Sequence, residues 1–237
     1  MINTKTPGDI FMKRLAFLTL ALTAATLAAR DEVPFKDNTP PPGYRALFNG
    51  KDLAGWQGMI AVNKRAKLSE ADRAKEQKAA NDKILPHWKV EDGVIVYDGK
   101  GNNLQTAEDF GDIDFLCDWK IGAGGDSGIY LRGNPQVQIW DPAKWKNVGS
   151  GALFNNAKNP KDPLVNADNP IGEWNKFHIT MAGDKVTVKL NGKVVVDNTV
   201  LENYWDRKSP LPERGPIELQ HHGDKLWFKN IYVKEKK

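Results

Sequence analysis

The hairpin signature Leu190-Asn191-Gly192-Lys193 constrains the fold of this chain most, because it lies between two segments of alternating apolar and polar residues. Asn followed by Gly accepts positive φ at both central turn positions, which matches the twist of two paired strands. The same texture continues in both directions. Segments 90–97, 114–121, 128–132, 136–140, 176–182, 185–190, 193–198, 216–221 and 226–233 read as strands, punctuated by Gly, Asn, Asp and Pro. Many short strands with this punctuation predict an all-β antiparallel sandwich. One stretch differs. Residues 63–83 are rich in Ala and charge, and Ser69 with Asp72 three residues later resembles a helix cap. They predict a short inserted helix, either a solvated face or a flap over a binding surface.

The N-terminus reads as an address. Lys13 and Arg14 precede an uncharged, Leu- and Ala-rich run that ends at Ala29. A basic start, a short apolar run and small residues predict a signal peptide over 1–29, and Met12 makes residues 1–11 a candidate start-site artefact. The run is too short to span a bilayer, so no stable membrane insertion is expected. The protein is expected to be exported, periplasmic or extracellular. Residues 30–43, with Pro34, Pro40, Pro41 and Pro42, predict an extended linker before a sandwich domain over 44–237. Half of the formal charge of +4 lies within the first 29 residues. What remains is too small a field to attract nucleic acid. A single cysteine excludes a disulfide framework.

Strand alternation sorts the candidate chemistry. With Phe115, Cys117, Trp119 and Ile121 inward, Asp118 and Lys120 face out; with Ile129 and Leu131 inward, Tyr130 and Arg132 do. Gln136, Gln138 and Trp140 oppose Val137 and Ile139, and Glu218, Gln220 and His222 oppose Ile217 and Leu219. Amides and Arg bond hydroxyls, while aromatic rings cover the C–H faces of sugars, so these sets suit a carbohydrate if the strands adjoin. Cys117 reads as a buried, inert thiol and His221 as a packed core histidine. Asp126-Ser127-Gly128 reads as a tight turn.

Those residues also carry a resemblance. Leu47-Phe48-Asn49-Gly50-Lys51-Asp52-Leu53 with Gly55-Trp56, Trp88-Lys89-Val90-Glu91-Asp92-Gly93, Asp126 through Gly133, Val137-Gln138-Ile139, Gly172-Glu173-Trp174-Asn175 and Gly215 through Gln220 with His222-Gly223 resemble the 3-keto-disaccharide hydrolase family, DUF1080. The motifs run in order from Tyr44 to the C-terminus. The resemblance implies a concanavalin-like jelly roll and an exported enzyme that cleaves 3-keto-glycosides supplied by a sugar 3-oxidoreductase. The 63–83 insert and Lys229, where Arg is more usual, depart from the pattern, and neither is expected to touch the outward face.

The chemistry of such a substrate then assigns roles. A C3 ketone acidifies the C2 hydrogen, so a base can start β-elimination of the C1–O bond, with or without later rehydration. Asp118 and Glu218 are the expected carboxylates, His222 a base or acid, and Arg132 the group on the ketone oxygen. Tyr130, Gln138, Trp140, Gln220 and Lys120 are expected to bind substrate. Asp118, Glu218 and His222 are alternatively the ligands of a divalent metal ion. The rival reading is a non-catalytic, lectin-like module; a structural protein that binds through the insert is a more distant third.

Overall fold

The strands form where apolar residues alternate, and their apolar faces close on one another. The structure, a computed structural model, describes residues 36–236. In chain order the strands are β1 (Arg45–Ala46), β2 (Trp56–Gly58), β3 (Trp88–Glu91), β4 (Val94–Tyr97), β5 (Leu104–Thr106), β6 (Ile113–Ile121) and β7 (Asp126–Leu131). They continue with β8 (Asn134–Trp140), β9 (Asn175–Ala182), β10 (Lys185–Leu190), β11 (Lys193–Val200), β12 (Glu218–Leu219) and β13 (Leu226–Glu235). Two helices, α1 (Val62–Arg65) and α2 (Glu70–Ile84), interrupt them.

The strands form two antiparallel sheets. The larger runs β11-β10-β9-β6-β13-β4-β3, with β1 also on β13, and the smaller runs β2-β5-β12-β7-β8. This is the expected jelly-roll sandwich with a short helical insert. The core lies between the layers: Phe115, Cys117, Trp119, Phe177, Ile179, Val188 and Phe228 from the larger sheet meet Leu104, Ile129, Leu131, Val137, Ile139 and Leu219 from the smaller. Burial raises the Cys117 thiol pKa well above its usual value, in keeping with an inert core residue. Among the described residues no helix is long and apolar enough to cross a membrane.

Several boundaries moved for physical reasons. The 90–97 segment is a hairpin, β3 and β4, because Asp92 and Gly93 both take positive φ. Strands β1, β2 and β5 have only two or three residues each, too short for alternation to register. Segment 216–221 contributes only Glu218–Leu219, yet those two residues bridge β5 and β7 at the centre of the smaller sheet. Residues 1–29, and 30–35 of the Pro-rich stretch, lie outside the described residues. The described remainder of that stretch is pinned to the domain rather than extended. Asn38 donates from its backbone to Asn230 Oδ1 (2.7 Å) and from its side chain to the Gly93 carbonyl (2.8 Å), and Asp37 pairs with Lys229 at 2.6 Å.

The insert is two helices rather than one. Ser69 caps α2 by accepting the Asp72 N–H at 3.1 Å. Only Ile84 of α2 is buried, so the helix is held by its partner strand rather than by an apolar stripe. Gly58, on the edge strand β2, gives its N–H to Asn81 Oδ1 (2.8 Å), and its carbonyl accepts Gln77 Nε2 (2.7 Å). The helix thus closes an otherwise open sheet edge. A Cβ on Gly58 would fall 2.6 Å from the Ala80 carbonyl oxygen. Gly58→Ala is therefore expected to cost about 1–3 kcal/mol, as for other overpacked sites. An unchanged midpoint in urea would show that α2 does not rest on β2.

Candidate active site

Register builds one continuous line across the smaller sheet. Gln57 pairs with Gln105, Gln105 with Glu218, Glu218 with Tyr130, and Tyr130 with Gln136, one residue from each strand. All five point away from the core because their strand neighbours point into it. Two residues along, the Gln220 N–H donates to the Gly128 carbonyl and Gly128 pairs with Gln138, forming a second line. Gly128 is required there. A Cβ at this position would lie 3.0 Å from the Gln136 side chain and 3.1 Å from Gln220 Oε1. A third line pairs Asp126 with Trp140.

Glu218 is the electrostatic centre of this face. It is 3% exposed, and its Oε2 accepts one hydrogen bond, from Asn103 Nδ2 at 2.8 Å. Burial pushes its carboxyl up to about 7; the Asn103 hydrogen bond and the Arg65 charge pull in the other direction without cancelling the effect. A carboxyl poised near neutrality exchanges protons readily in either direction. Tyr130 beside it is held protonated, mainly by burial and then by the Glu218 charge. The Tyr130 hydroxyl accepts Gln220 Nε2 at 3.2 Å, leaving its own proton to donate.

Around these groups the amides are incompletely paired. Of the seven buried side-chain polar atoms without a protein partner among the described residues, four belong to this face: Gln105 Nε2 and Oε1, Gln136 Oε1 and Gln220 Oε1. Buried amides are ordinarily bonded, so such a cluster marks a surface built to bond something else. Gln136 Nε2 does donate to Gln138 Oε1, and Gln138 Nε2 donates to Asp126 Oδ1 at 2.6 Å. At the far end His222 Nδ1 stands 3.7 Å from Asp126 Oδ2, half exposed at the rim. Burial raises the Asp126 pKa, with the His222 charge opposing it.

The structure divides the expected site residues. It brings together Glu218, Tyr130, Gln138, Gln220 and, at the rim, His222. Asp118 and Lys120 are elsewhere, since β6 belongs to the larger sheet and its outward face lies across the core from Glu218. Asp118 accepts Asn230 Nδ2 at 2.7 Å, and Lys120 Nζ sits over the rings of Trp174 and Trp227. Arg132 is fully engaged in holding loops. It donates to the Gly111 carbonyl (3.2 Å), the Pro212 carbonyl (2.9 Å) and Asp112 (2.7 Å), so it has no free fork for a ketone. Trp140 shares the site face but is no open platform: Trp145 stacks on it at 4.9 Å and Phe154 packs edge-on.

The metal trio does not assemble either. Asp118 is separated from Glu218 by the core, and among the described residues no group of three or more His, Cys, Asp or Glu side chains is placed to hold a metal ion. Asp118→Asn is expected to leave kcat/KM within twofold of the parent; a hundredfold loss would return Asp118 to the site.

Sequence reasoning missed Asn103, Gln105 and Asp126. Asn103 and Gln105 sit on or beside the three-residue β5, where no periodicity is visible. Asp126 opens β7 rather than a turn. His221 lies past the end of β12 and is half-buried rather than packed in the core, edge-on to Tyr97 and sharing a hydrogen bond with its hydroxyl. The insert, expected to stay clear, reaches the site. A Cβ on Gly133 would meet Val62 Cγ2 at 2.3 Å and Glu218 Oε1 at 3.3 Å, so Gly133 alone separates the start of α1 from the carboxylate. Arg65, fixed to both oxygens of Asp109 (2.8 and 2.6 Å), supplies the charge that Glu218 feels.

Comparison with known proteins agrees with this architecture. Residues 43–234 match the family described as a 3-keto-alpha-glucoside-1,2-lyase-like domain. A Bacteroides thetaiotaomicron protein named 3-keto-disaccharide hydrolase is 25% identical over 246 residues, covering 81% of this chain and 78% of its own. A crystal structure from Parabacteroides distasonis, described as a candidate glycosyl hydrolase, superposes with a TM-score of 0.61 at 28% identity, covering 83% of this chain and 85% of that one. A second from the same organism superposes with a TM-score of 0.60 at 23% identity, covering 85% of this chain and all of the other, and speaks for the fold alone.

Proposed function

This chain belongs to the 3-keto-alpha-glucoside-1,2-lyase-like domain family, and from that premise we propose that it cleaves the glycosidic bond of 3-keto-disaccharides or related 3-keto-glycosides. The observation that carries the reading is Glu218, a buried carboxyl held at about 7 amid amides that lack partners. A lectin has no use for a carboxyl so desolvated, whereas proton transfer at neutral pH needs one.

The chemistry follows from the substrate. Glu218 takes the C2 proton, which the neighbouring ketone has acidified, and the electron pair delocalises into an enolate. The Tyr130 hydroxyl donates to the developing enolate oxygen. The C1–O bond then breaks, with its electrons leaving on the aglycone oxygen, which takes a proton from water. Water adds across the resulting enone, so the net outcome is hydrolysis; release before that addition makes the enzyme a lyase. Gln105, Gln136 and Gln220, each with an amide atom lacking a protein partner, hold the sugar hydroxyls, while Gln138, bonded to Gln136 and Asp126, keeps that row in place.

Register also argues against ordinary two-carboxylate hydrolysis. Glu218 pairs with Tyr130, so Asp126 lies four residues further along β7. That is roughly 13 Å along the strand, beyond the ~5–9.5 Å separations that glycosidases use. We further propose that the enzyme works outside the cytoplasm, on the strength of its first 29 residues, and downstream of an oxidoreductase that makes the C3 ketone. The test is aglycone release from a chromogenic 3-keto-glucoside beside the unoxidised glucoside. Release from the keto form alone is expected; equal release from both would make the chain an ordinary glycosidase.

A further inference from the structure

The residues between β11 and β12 carry two neighbouring aromatic side chains that packing does not explain. Tyr204 and Trp205 are 42% and 56% exposed, with their rings 4.8 Å apart and nearly perpendicular. Single exposed aromatics are commonplace, but an adjacent pair held in place is not.

This pair is held firmly. Just before it, Glu202 accepts the backbone N–H groups of Ala157 (3.0 Å), Lys158 (2.7 Å) and Asn159 (2.8 Å), and Arg207 Nη1 at 2.7 Å. The Arg207 guanidinium then lies 5.3 Å from the Tyr204 ring centroid and backs it. Asn203 accepts the Asp206 N–H (3.0 Å) and donates to the Pro210 carbonyl (2.9 Å), closing the loop on itself. So many bonds on so few residues fix the rings before any ligand arrives, which lowers the entropy lost on binding.

The loop also sits at the site. The Tyr204 N–H donates to Asn134 Oδ1 at 3.2 Å, and Asn134 pairs with Leu131, the residue after Tyr130. Tyr130 in turn pairs with Glu218. The loop therefore joins the smaller sheet two strand spacings from Glu218, about 10 Å away. Tyr204 also lies close enough to the Tyr130 hydroxyl to oppose its ionisation. The other exposed aromatics near this sheet, Trp145 and Phe154, pack on Trp140 and on each other beyond Asp126, at the far end of the face.

We infer that Tyr204 and Trp205 form the subsite for the departing group, a platform that stacks on the C–H face of a second pyranose ring while the keto sugar lies at Glu218. The inference rests on the 3-keto-glycoside reading above and narrows it to disaccharides. Aromatic faces bind such rings, and a fixed pair offers two contact planes.

The test compares kcat/KM for a 3-keto-disaccharide with that for methyl 3-keto-glucoside, which has no second ring. The enzymes are the parent, Trp205→Ala, Tyr204→Ala and Tyr204→Phe. In both Ala variants the disaccharide-to-methyl ratio is expected to fall about tenfold, chiefly through KM. Tyr204→Phe keeps a ring and should keep the ratio. An unchanged ratio in both Ala variants, with the parent active, overturns the platform and leaves the functional reading intact. A parent that cleaves neither substrate overturns both.

Discussion

Glu218→Gln will lower kcat/KM on a 3-keto-glycoside by about 10³-fold or more, the scale of a lost general base, while raising the protein's stability at alkaline pH. The two effects share one cause. Burial puts the Glu218 carboxyl at about 7, against an ordinary value of 4.5. Below about 4.5 the group is protonated whether the chain is folded or not, so it carries no penalty. Between 4.5 and 7 the unfolded chain ionises while the folded one does not, and stability falls as pH rises. Above 7 the loss is complete, about 3 kcal/mol from a displacement of roughly 2.5 pKa units. A neutral amide of the same shape carries no such cost. The substitution should therefore leave the urea midpoint unchanged near pH 4 and raise it at pH 8. An active variant would remove Glu218 from the chemistry, and a midpoint that falls at pH 8 would show that the carboxylate is not desolvated.

Replacing Asn103 should move the pH dependence itself. Its Nδ2 donates to Glu218 Oε2 at 2.8 Å, and its Oδ1 accepts the His221 N–H at 2.9 Å, so one side chain ties the carboxylate to the strand end beside it. A hydrogen bond to a charged group is worth about 1.5–3 kcal/mol, and this one favours the ionised form. In Asn103→Leu the Glu218 pKa should rise by about 1–2 units above its parent position near 7. Because the base form is the active one, the rising limb of kcat/KM moves to higher pH. Activity at pH 7 then falls about 5–50-fold and recovers substantially by pH 9. A uniform loss at every pH would assign Asn103 to folding rather than to proton chemistry.

How much of this was legible beforehand depended on strand length. Long strands announced themselves: β6 and β10 alternate cleanly, and the Asn191-Gly192 turn marked its hairpin. Their facing directions were also right, since Tyr130, Gln138, Glu218 and Gln220 do point out of the core. What alternation does not contain is which sheet a strand joins. Asp118 and Glu218 each face outward, but from opposite layers, because β6 pairs with β9 and β13 while β12 pairs with β5 and β7. Pairing is set by long-range packing, not by a strand's own residues. The same limit hid Gln105, whose three-residue strand is recognisable only once Glu218 lies beside it. Arg132 misled for another reason. Its type suits anion recognition, but only the fold reveals that two carbonyls and Asp112 already occupy its fork.

The insert shows the reverse case. Its composition is that of a solvated helix, and α2 is largely that. What bears on the site is the preceding helix α1, where Val62 sits across Gly133 from Glu218 and Arg65 supplies a charge that Glu218 feels. Neither residue is distinctive in type.

The central claim is that Glu218 removes the C2 proton of a 3-keto sugar, and turnover in D2O measures that step directly. The parent enzyme is run to completion on a 3-keto-glycoside, the sugar product is read by NMR, and an enzyme-free sample corrects for spontaneous exchange. Deuterium at C2 of the released sugar, absent with Glu218→Gln, is the predicted result. Aglycone release with the C2 hydrogen fully retained would contradict it, because the glycosidic bond would then break without the enolate on which the site's geometry is read.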